Sequence, residues 1–439
     1  MGRNKKIYIS KNWFLILLSS FIFFLMLNYY LYFFVWICLI PISIIFIKNR
    51  SNKLILYGLA TAFFISLFSF NWLLKYKLNF FILFVSIVTL FGGILGFIQY
   101  KFNKKIKKYW IRAFVLPLTW LVLLILFSFF KYGNTWIMFA YFQPMAYPLG
   151  YILGPYLFTF YIISFNLLFG LYIINKNRKL FFIIIIMILL VFSSFLYSNY
   201  SEPKGEEIKI GIVQGTITHS WNWRLQIPDQ ILDKYERLTL EMKEEKLDFI
   251  FWPEYAITAD IEVNKNLSER IGNLAKKMDS YIIFGAFSYI DKNKTSLDDL
   301  KTDRVFIFSP EGEIFDYYDS TNVISVNGDI ISSKKGFKIF KIENVSFNIG
   351  LCYEEYLRSD NLDYENGDFI VILSNNHIFD NTPGLKLVSM FSRLKALEEK
   401  KYVIRATNTG ITQIVNPYGK VTSSIESYKS GILIGNIYI

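Results

Sequence analysis

The feature that most constrains this chain is the crowding of apolar residues into its first 200 positions. Apolar runs of about 20 residues have the length of a helix that crosses the ~30 Å hydrocarbon layer of a bilayer. The stretch from Trp13 to Ile47 is too long for one such span and predicts two helices turning near Asn28. Five more follow at Leu54–Leu74, Phe80–Tyr100, Trp110–Phe130, Pro148–Ile174 and Leu180–Tyr197, seven in all. The first is not expected to be a cleaved leader, because no small-residue cleavage site follows it and further apolar runs do.

Basic residues alternate between the two ends of these runs. The clusters Arg3–Lys11, Lys48–Lys53, Lys101–Arg112 and Lys176–Lys179 put sixteen cations on one side, against Lys75, Lys77 and Lys131 on the other. Lys and Arg are retained on the cytoplasmic side, so this bias predicts a cytoplasmic N-terminus and delivers everything after Tyr200 to the outer face. It also explains the net charge of +12 as membrane topology, with no nucleic-acid partner expected. Between the fifth and sixth runs, Gly133-Asn134-Thr135-Trp136 to Gln143-Pro144 is aromatic and broken by proline. Its rings read as interfacial anchors or as the lining of a place where a lipid enters sideways.

Composition changes at Ser201-Glu202-Pro203-Lys204-Gly205, which divides the chain into a transmembrane domain, 1–200, and a second domain, 201–439. In the second, short β-rich runs alternate with helical patterns. Strands are expected at Ile208–Val213, Phe249–Trp252, Tyr281–Phe284, Val305–Phe308, Phe337–Ile342, Val345–Leu351, Phe369–Leu373, Tyr402–Ala406 and Ile411–Val415. Helices are expected at Asp229–Glu245, Asn266–Met278 and Lys386–Lys400, which makes one α/β domain.

Two strand ends carry chemistry. Cys352 follows the apolar run Val345–Leu351, where it reads as a nucleophile on a rigid seat or as a small buried hydrophobe. Glu254 follows Phe249-Ile250-Phe251-Trp252-Pro253, as a general base or a solvated loop acid. If the two strands are neighbours, the carboxylate can take the thiol proton. The only other cysteine, Cys38, lies in the first half, and with His219 and His377 alone no metal site or disulfide framework is expected.

These stretches, with Leu373-Ser374-Asn375, Arg405-Ala406-Thr407-Asn408-Thr409-Gly410-Ile411 and Asn416-Pro417-Tyr418-Gly419, resemble the nitrilase superfamily. Joined to a multi-span N-terminal region, they resemble its apolipoprotein N-acyltransferases. The resemblance implies a multi-span helical membrane domain followed by a nitrilase-like αββα sandwich, a Glu-Lys-Cys triad, and no cofactor. It implies a bacterial cytoplasmic-membrane enzyme that takes a fatty acyl chain from a phospholipid donor onto Cys352. The acceptor would be the N-terminal diacylglyceryl-cysteine of a lipoprotein. Glu354 matches a position that supports the site, or is a structural acid.

Three positions depart from that pattern. The lysine slot in Phe315-Asp316-Tyr317-Tyr318-Asp319-Ser320 holds Ser320, which carries no charge to lower a thiol pKa or face an oxyanion. Ser325-Val326-Asn327-Gly328-Asp329 stands where Pro-Phe-Gly-Glu is usual, and the chain stops at Ile439 without the usual C-terminal helix. Lys334, Lys335 and Lys338 are the nearby candidates to replace the missing cation. The alternatives are therefore a catalytically impaired relative that binds lipid or lipoprotein, or a membrane-tethered amidase.

Overall fold

The computed structural model describes residues 2–75, 78–129, 138–142, 147–200, 204–217, 227–293, 296, 299–323, 330–334, 336–356 and 366–439. Gly133 to Trp136, Gln143, Pro144, His219, Ser325 to Asp329 and Lys335 lie outside the described residues. The chain divides into two compact units, Met1–Tyr200 and Ser201–Ile439.

The first unit is helical: α1 (Gly2–Asn28), α2 (Ile40–Lys48), α3 (Lys53–Ser69), α4 (Leu78–Lys105), α5 (Tyr109–Ser128), α6 (Tyr147–Asn175) and α7 (Arg178–Tyr200). Among the described residues, five segments are long and apolar enough to cross a membrane, in α1, α4, α5, α6 and α7. The expected second and third spans are shorter. α2 begins only at Ile40, with Pro41 in its first turn, after a 3-10 turn at Tyr32–Trp36, and α3 gives way to another at Asn71–Lys75. Side chains satisfy the backbone at both ends of α2. Asn166 accepts from Leu39 N at 3.0 Å, and Asn103 Nδ2 donates to Phe46 O and Asn49 O at 2.6 and 2.8 Å. Arg112, expected among the loop cations, instead sits buried in the first turn of α5 and donates to Ile47 O and Ile106 O. α3 and α4 touch through glycines: a Cβ on Gly58 would lie 2.2 Å from Gly92 O, so only glycine allows this approach.

The second unit has two six-stranded sheets. One runs β12-β1-β2-β3-β4-β5 and the other β11-β10-β9-β8-β7-β6. The strands are β1 (Glu207–Gln214), β2 (Phe249–Phe251), β3 (Tyr281–Tyr289), β4 (Lys301–Phe308), β5 (Ile314–Asp319), β6 (Ile339–Ile342), β7 (Val345–Leu351), β8 (Phe369–Ser374), β9 (Tyr402–Thr407), β10 (Thr412–Val415), β11 (Val421–Ile425) and β12 (Gly431–Tyr438). One core cluster holds Ile212, Phe251, Val305 and Ile307 of the first sheet with Phe347, Leu351, Val371 and Ile404 of the second, so the sheets face each other. Helices α8 (Pro228–Leu240) and α9 (Lys265–Met278) cover the far side of the first sheet, and α10 (Pro383–Glu399) packs on β9 and β10. That is an αββα sandwich.

The strands missing from the sequence reading are β5, β11 and β12, and all three are edges. An edge strand is half exposed and carries mixed polarity, so it lacks the apolar run that marks a central strand. β11, with burial alternating along Val421–Ile425, is the clearest case.

Candidate active site

Glu254 is set by the way the chain leaves β2. Trp252 N still bonds Ile283 O of β3 at 2.9 Å, and the buried indole stacks on Tyr235 with its Nε1 on Thr239 Oγ1 at 3.1 Å. Pro253 O then accepts from Gly285 N at 3.1 Å. A Cβ on Gly285 would lie 2.7 Å from Glu254 Cα, so the bare glycine lets this turn press against β3. Tyr255 follows with φ +52°, an uncommon conformation for a large side chain. The turn aims Glu254 inward, where only 5% of it is exposed, and its Oε2 accepts from Asn375 N at 2.7 Å. Asn375 follows β8, so this carboxyl of one sheet reaches the backbone of the other.

Cys352 arrives from that second sheet. β7 pairs in parallel with β8 up to Leu351 and Leu373, and Cys352 then adopts φ +46° to open the 3-10 turn Cys352–Tyr356. Strain of this kind persists only where the surroundings hold it, and it is common at reactive residues. The thiol meets two partners, hydrogen-bonding the Glu254 carboxyl and the Ser374 side chain. The structure thus brings together the two residues the sequence singled out.

Electrostatics here are those of a dry, acidic pocket. Burial pushes Glu254 up to about 7, against the lowering effect of the Asn375 N–H and of the Cys352 and Asp303 hydrogen bonds. Burial, then the negative charge of Glu254, pushes the Cys352 thiol well above its ordinary range. A resting thiol is therefore protonated, and its proton is shared with Glu254.

Glu354 and Ser320 form a second layer. Glu354 Oε1 accepts from Tyr318 OH (3.0 Å), Ser320 Oγ (2.9 Å), Thr321 N (2.8 Å), Thr321 Oγ1 (3.0 Å) and Asn322 N (3.1 Å). Its Oε2 accepts from Leu351 N at 2.9 Å. Glu354 therefore ties the segment after β5 to the turn carrying the nucleophile. Ser320, in the slot expected for lysine, gives its hydroxyl to Glu354, and its backbone N–H to Asp303 O at 2.8 Å. Of the candidate substitutes for the missing cation, the two described ones are elsewhere. Lys338 pairs with Asp316, and Lys334 is exposed. On the other side of the turn, Glu355 is fully buried against Arg405, Nε to Oε1 at 3.1 Å, and Arg405 also holds Asn376 Oδ1 at 2.7 Å and Ile411 O at 2.8 Å.

Sequence reading missed Asp303. It lies on β4, 3% exposed, with a side-chain hydrogen bond to Glu254 and another to Tyr255. Period-two alternation carries the inward face of Val305 and Ile307 back to Asp303, two residues ahead of the strand expected at Val305–Phe308.

Residues 209–438, just over half of the chain, match the family described as carbon-nitrogen hydrolase. Curated relatives include the apolipoprotein N-acyltransferase of Coxiella burnetii, 26% identical over 377 residues, covering 81% of this chain and 77% of the relative. That of Wigglesworthia glossinidia brevipalpis is 26% identical over 348 residues (73% and 68%), and that of Vibrio parahaemolyticus 27% over 388 residues (80% and 73%). Among solved structures, an amidase from Nesterenkonia superposes with a TM-score of 0.43 at 11% identity, covering 54% of this chain and 92% of that one. A CN-hydrolase superfamily protein from Xanthomonas campestris gives 0.43 at 13% identity, covering 53% and 91%. On the family match across its second unit, this chain belongs to the carbon-nitrogen hydrolases.

Proposed function

We propose that this protein is a membrane-embedded N-acyltransferase of lipoprotein maturation, with Cys352 as nucleophile and Glu254 as its general base. The observation that carries the reading is the Cys352–Glu254 hydrogen bond where the two sheets meet, in a chain whose described residues also include five membrane-length helices. The names of the relatives over more than two thirds of the chain support the same choice. In the first half-reaction the Cys352 Sγ–H proton passes to Glu254 as Sγ bonds the carbonyl carbon of a phospholipid ester. The ester C–O bond breaks, and Glu254 returns the proton to the departing lysophospholipid oxygen. In the second, the α-amino group of a diacylglyceryl-cysteine attacks the thioester and Glu254 takes its proton. The C–S bond breaks and the sulfur recovers the proton. A base near 7 suits both directions of transfer at neutral pH. Burial of Glu254 beside the half-buried Cys352 favours an amine over water as acceptor.

The alternating cations support an orientation in the bacterial cytoplasmic membrane with the N-terminus inside and residues 201–439 outside. The test is to incubate the full chain in detergent with a phospholipid and weigh the intact protein. The expected result is an acyl adduct on Cys352, released by hydroxylamine, absent from Cys352→Ser and slowed in Glu254→Gln. A diacylated lipopeptide should discharge it as amide. No adduct would favour a lipid-binding relative without catalysis, as the uncharged Ser320 suggests. An adduct lost equally fast to water without the lipopeptide would favour a tethered hydrolase.

A further inference from the structure

Among the described residues, the Glu254 carboxyl faces a second carboxyl and no cation. Two buried carboxyl groups that hydrogen-bond each other must hold a proton between them, because two carboxylates offer only acceptors. Which one carries it can be read from their partners. Glu254 Oε2 accepts the Asn375 N–H at 2.7 Å, and the carboxyl also meets the Cys352 thiol, an environment that suits an ionised acceptor. Asp303 is 3% exposed, and its Oδ1 has no hydrogen-bond partner among the described residues. A carboxylate oxygen left bare in a dry site is costly, whereas the carbonyl oxygen of a neutral acid is far less so. Glu354, with six donors on its two oxygens, shows what this same site supplies to a carboxylate it keeps charged.

We propose that Asp303 is a positioning residue that stays protonated and donates its proton to Glu254, holding that carboxylate as the acceptor for the Cys352 thiol. The acid–base unit of this site is then a pair of carboxyls sharing one proton. Asp303 keeps its own proton throughout, and the protons that move, first from the thiol and then from the amine, pass through Glu254 alone. The inference rests on the reading of Cys352 as nucleophile and Glu254 as base. It accounts for a buried base that works without a lysine in the slot of Ser320: the neutral donor stabilises the carboxylate without adding charge. The strong upward push on Asp303 from burial and from the charge of Glu254 agrees with this. The other groups around the pair are Glu354 from the turn after β7, Tyr255 and Tyr356, with Tyr318 engaged by Glu354. Lys301, on the same face of β4, has its ammonium 5.7 Å from the Phe287 ring, and Arg304 turns the other way to Asp319 and Glu262.

The test is the rate of Cys352 alkylation by iodoacetamide against pH in the full chain in detergent, with Cys38 replaced by serine. Alkylation needs no lipid, so it reads the base whatever the substrate is. Its acid limb reports the ionisation of Glu254. Asp303→Asn, which also offers one neutral donor, should lower the plateau rate a few-fold and leave the midpoint of that limb in place. Asp303→Leu, which offers none, should move the midpoint up by about one pH unit, the worth of one hydrogen bond to a charged group. An unmoved midpoint in Asp303→Leu would overturn the proposal. So would a downward shift in either variant, which would mean that native Asp303 is ionised. Should the leucine variant fail to fold, infrared difference spectra in ester-free detergent decide. A protonated-carboxyl band at neutral pH, present in the native protein and lost in Asp303→Asn, supports the proposal, and its absence from the native protein overturns it. A normal alkylation profile with no thioester from phospholipid would instead count against the proposed function.

Discussion

Glu354→Gln tests whether the nucleophile turn is held by a single carboxylate. The amide oxygen can keep the five donors on Oε1, but the other oxygen becomes an NH2 facing Leu351 N, which donates to it at 2.9 Å. A buried N–H left without its acceptor costs about 1–3 kcal/mol. Ser320 and Tyr318, 1% and 3% exposed, also exchange a charged acceptor for a neutral one, at about 1 kcal/mol each. Against this, burial itself pushes Glu354 up, so removing the charge recovers part of its desolvation. The net expectation is a loss of about 3 kcal/mol, which for a unit of this size lowers Tm by roughly 6–12 °C. The assay is thermal exposure of the Cys352 thiol to a fluorogenic maleimide, in the full chain in detergent with Cys38 replaced by serine. A shift under about 2 °C would refute the claim that Glu354 ties β7 to the segment after β5.

Stability should also depend on pH in a direction unusual for carboxyl groups. Glu254 is held at about 7 against an ordinary value near 4.3, so the folded state binds the extra proton between them. The stability this contributes is present below about pH 4.3 and lost as pH rises through about 7, a fall of roughly 4 kcal/mol. Denaturant midpoints at pH 5 and pH 8 should show it, and Glu254→Gln should reduce the slope to the part that the raised Asp303 carboxyl contributes. Ser320→Lys should lower the pH at which Cys352 alkylates, since it adds a cation beside Glu354; no change would place residue 320 too far from the thiol to act. Reporter fusions after Lys131 and at the C-terminus should read outside, and one after Lys108 inside; a cytoplasmic C-terminal signal would break the proposed orientation.

What the sequence by itself determined was written in apolar periodicity and in strand ends. Helix-length apolar runs need no partner to be recognised, because a bilayer span is a property of one continuous segment. Central strands such as β2 and β8 were equally legible, since burial on both faces leaves an apolar run, and β7 showed apolar residues at every second position. Cys352 and Glu254 stood out because each follows such a strand. Tertiary structure alone decided the rest. β5, β11 and β12 exist because a neighbouring strand pairs with them, not because of their own pattern. Ser320 could be assigned to a slot by spacing, yet only the fold shows its hydroxyl committed to Glu354, 34 residues along the chain. Asp303 lies on β4 and Glu254 in the turn after β2, and neither residue type announces the other. That an aspartate and a glutamate meet in a place too dry for both to be charged depends on three-dimensional proximity and exclusion of water, and the order of residues along a chain encodes neither locally.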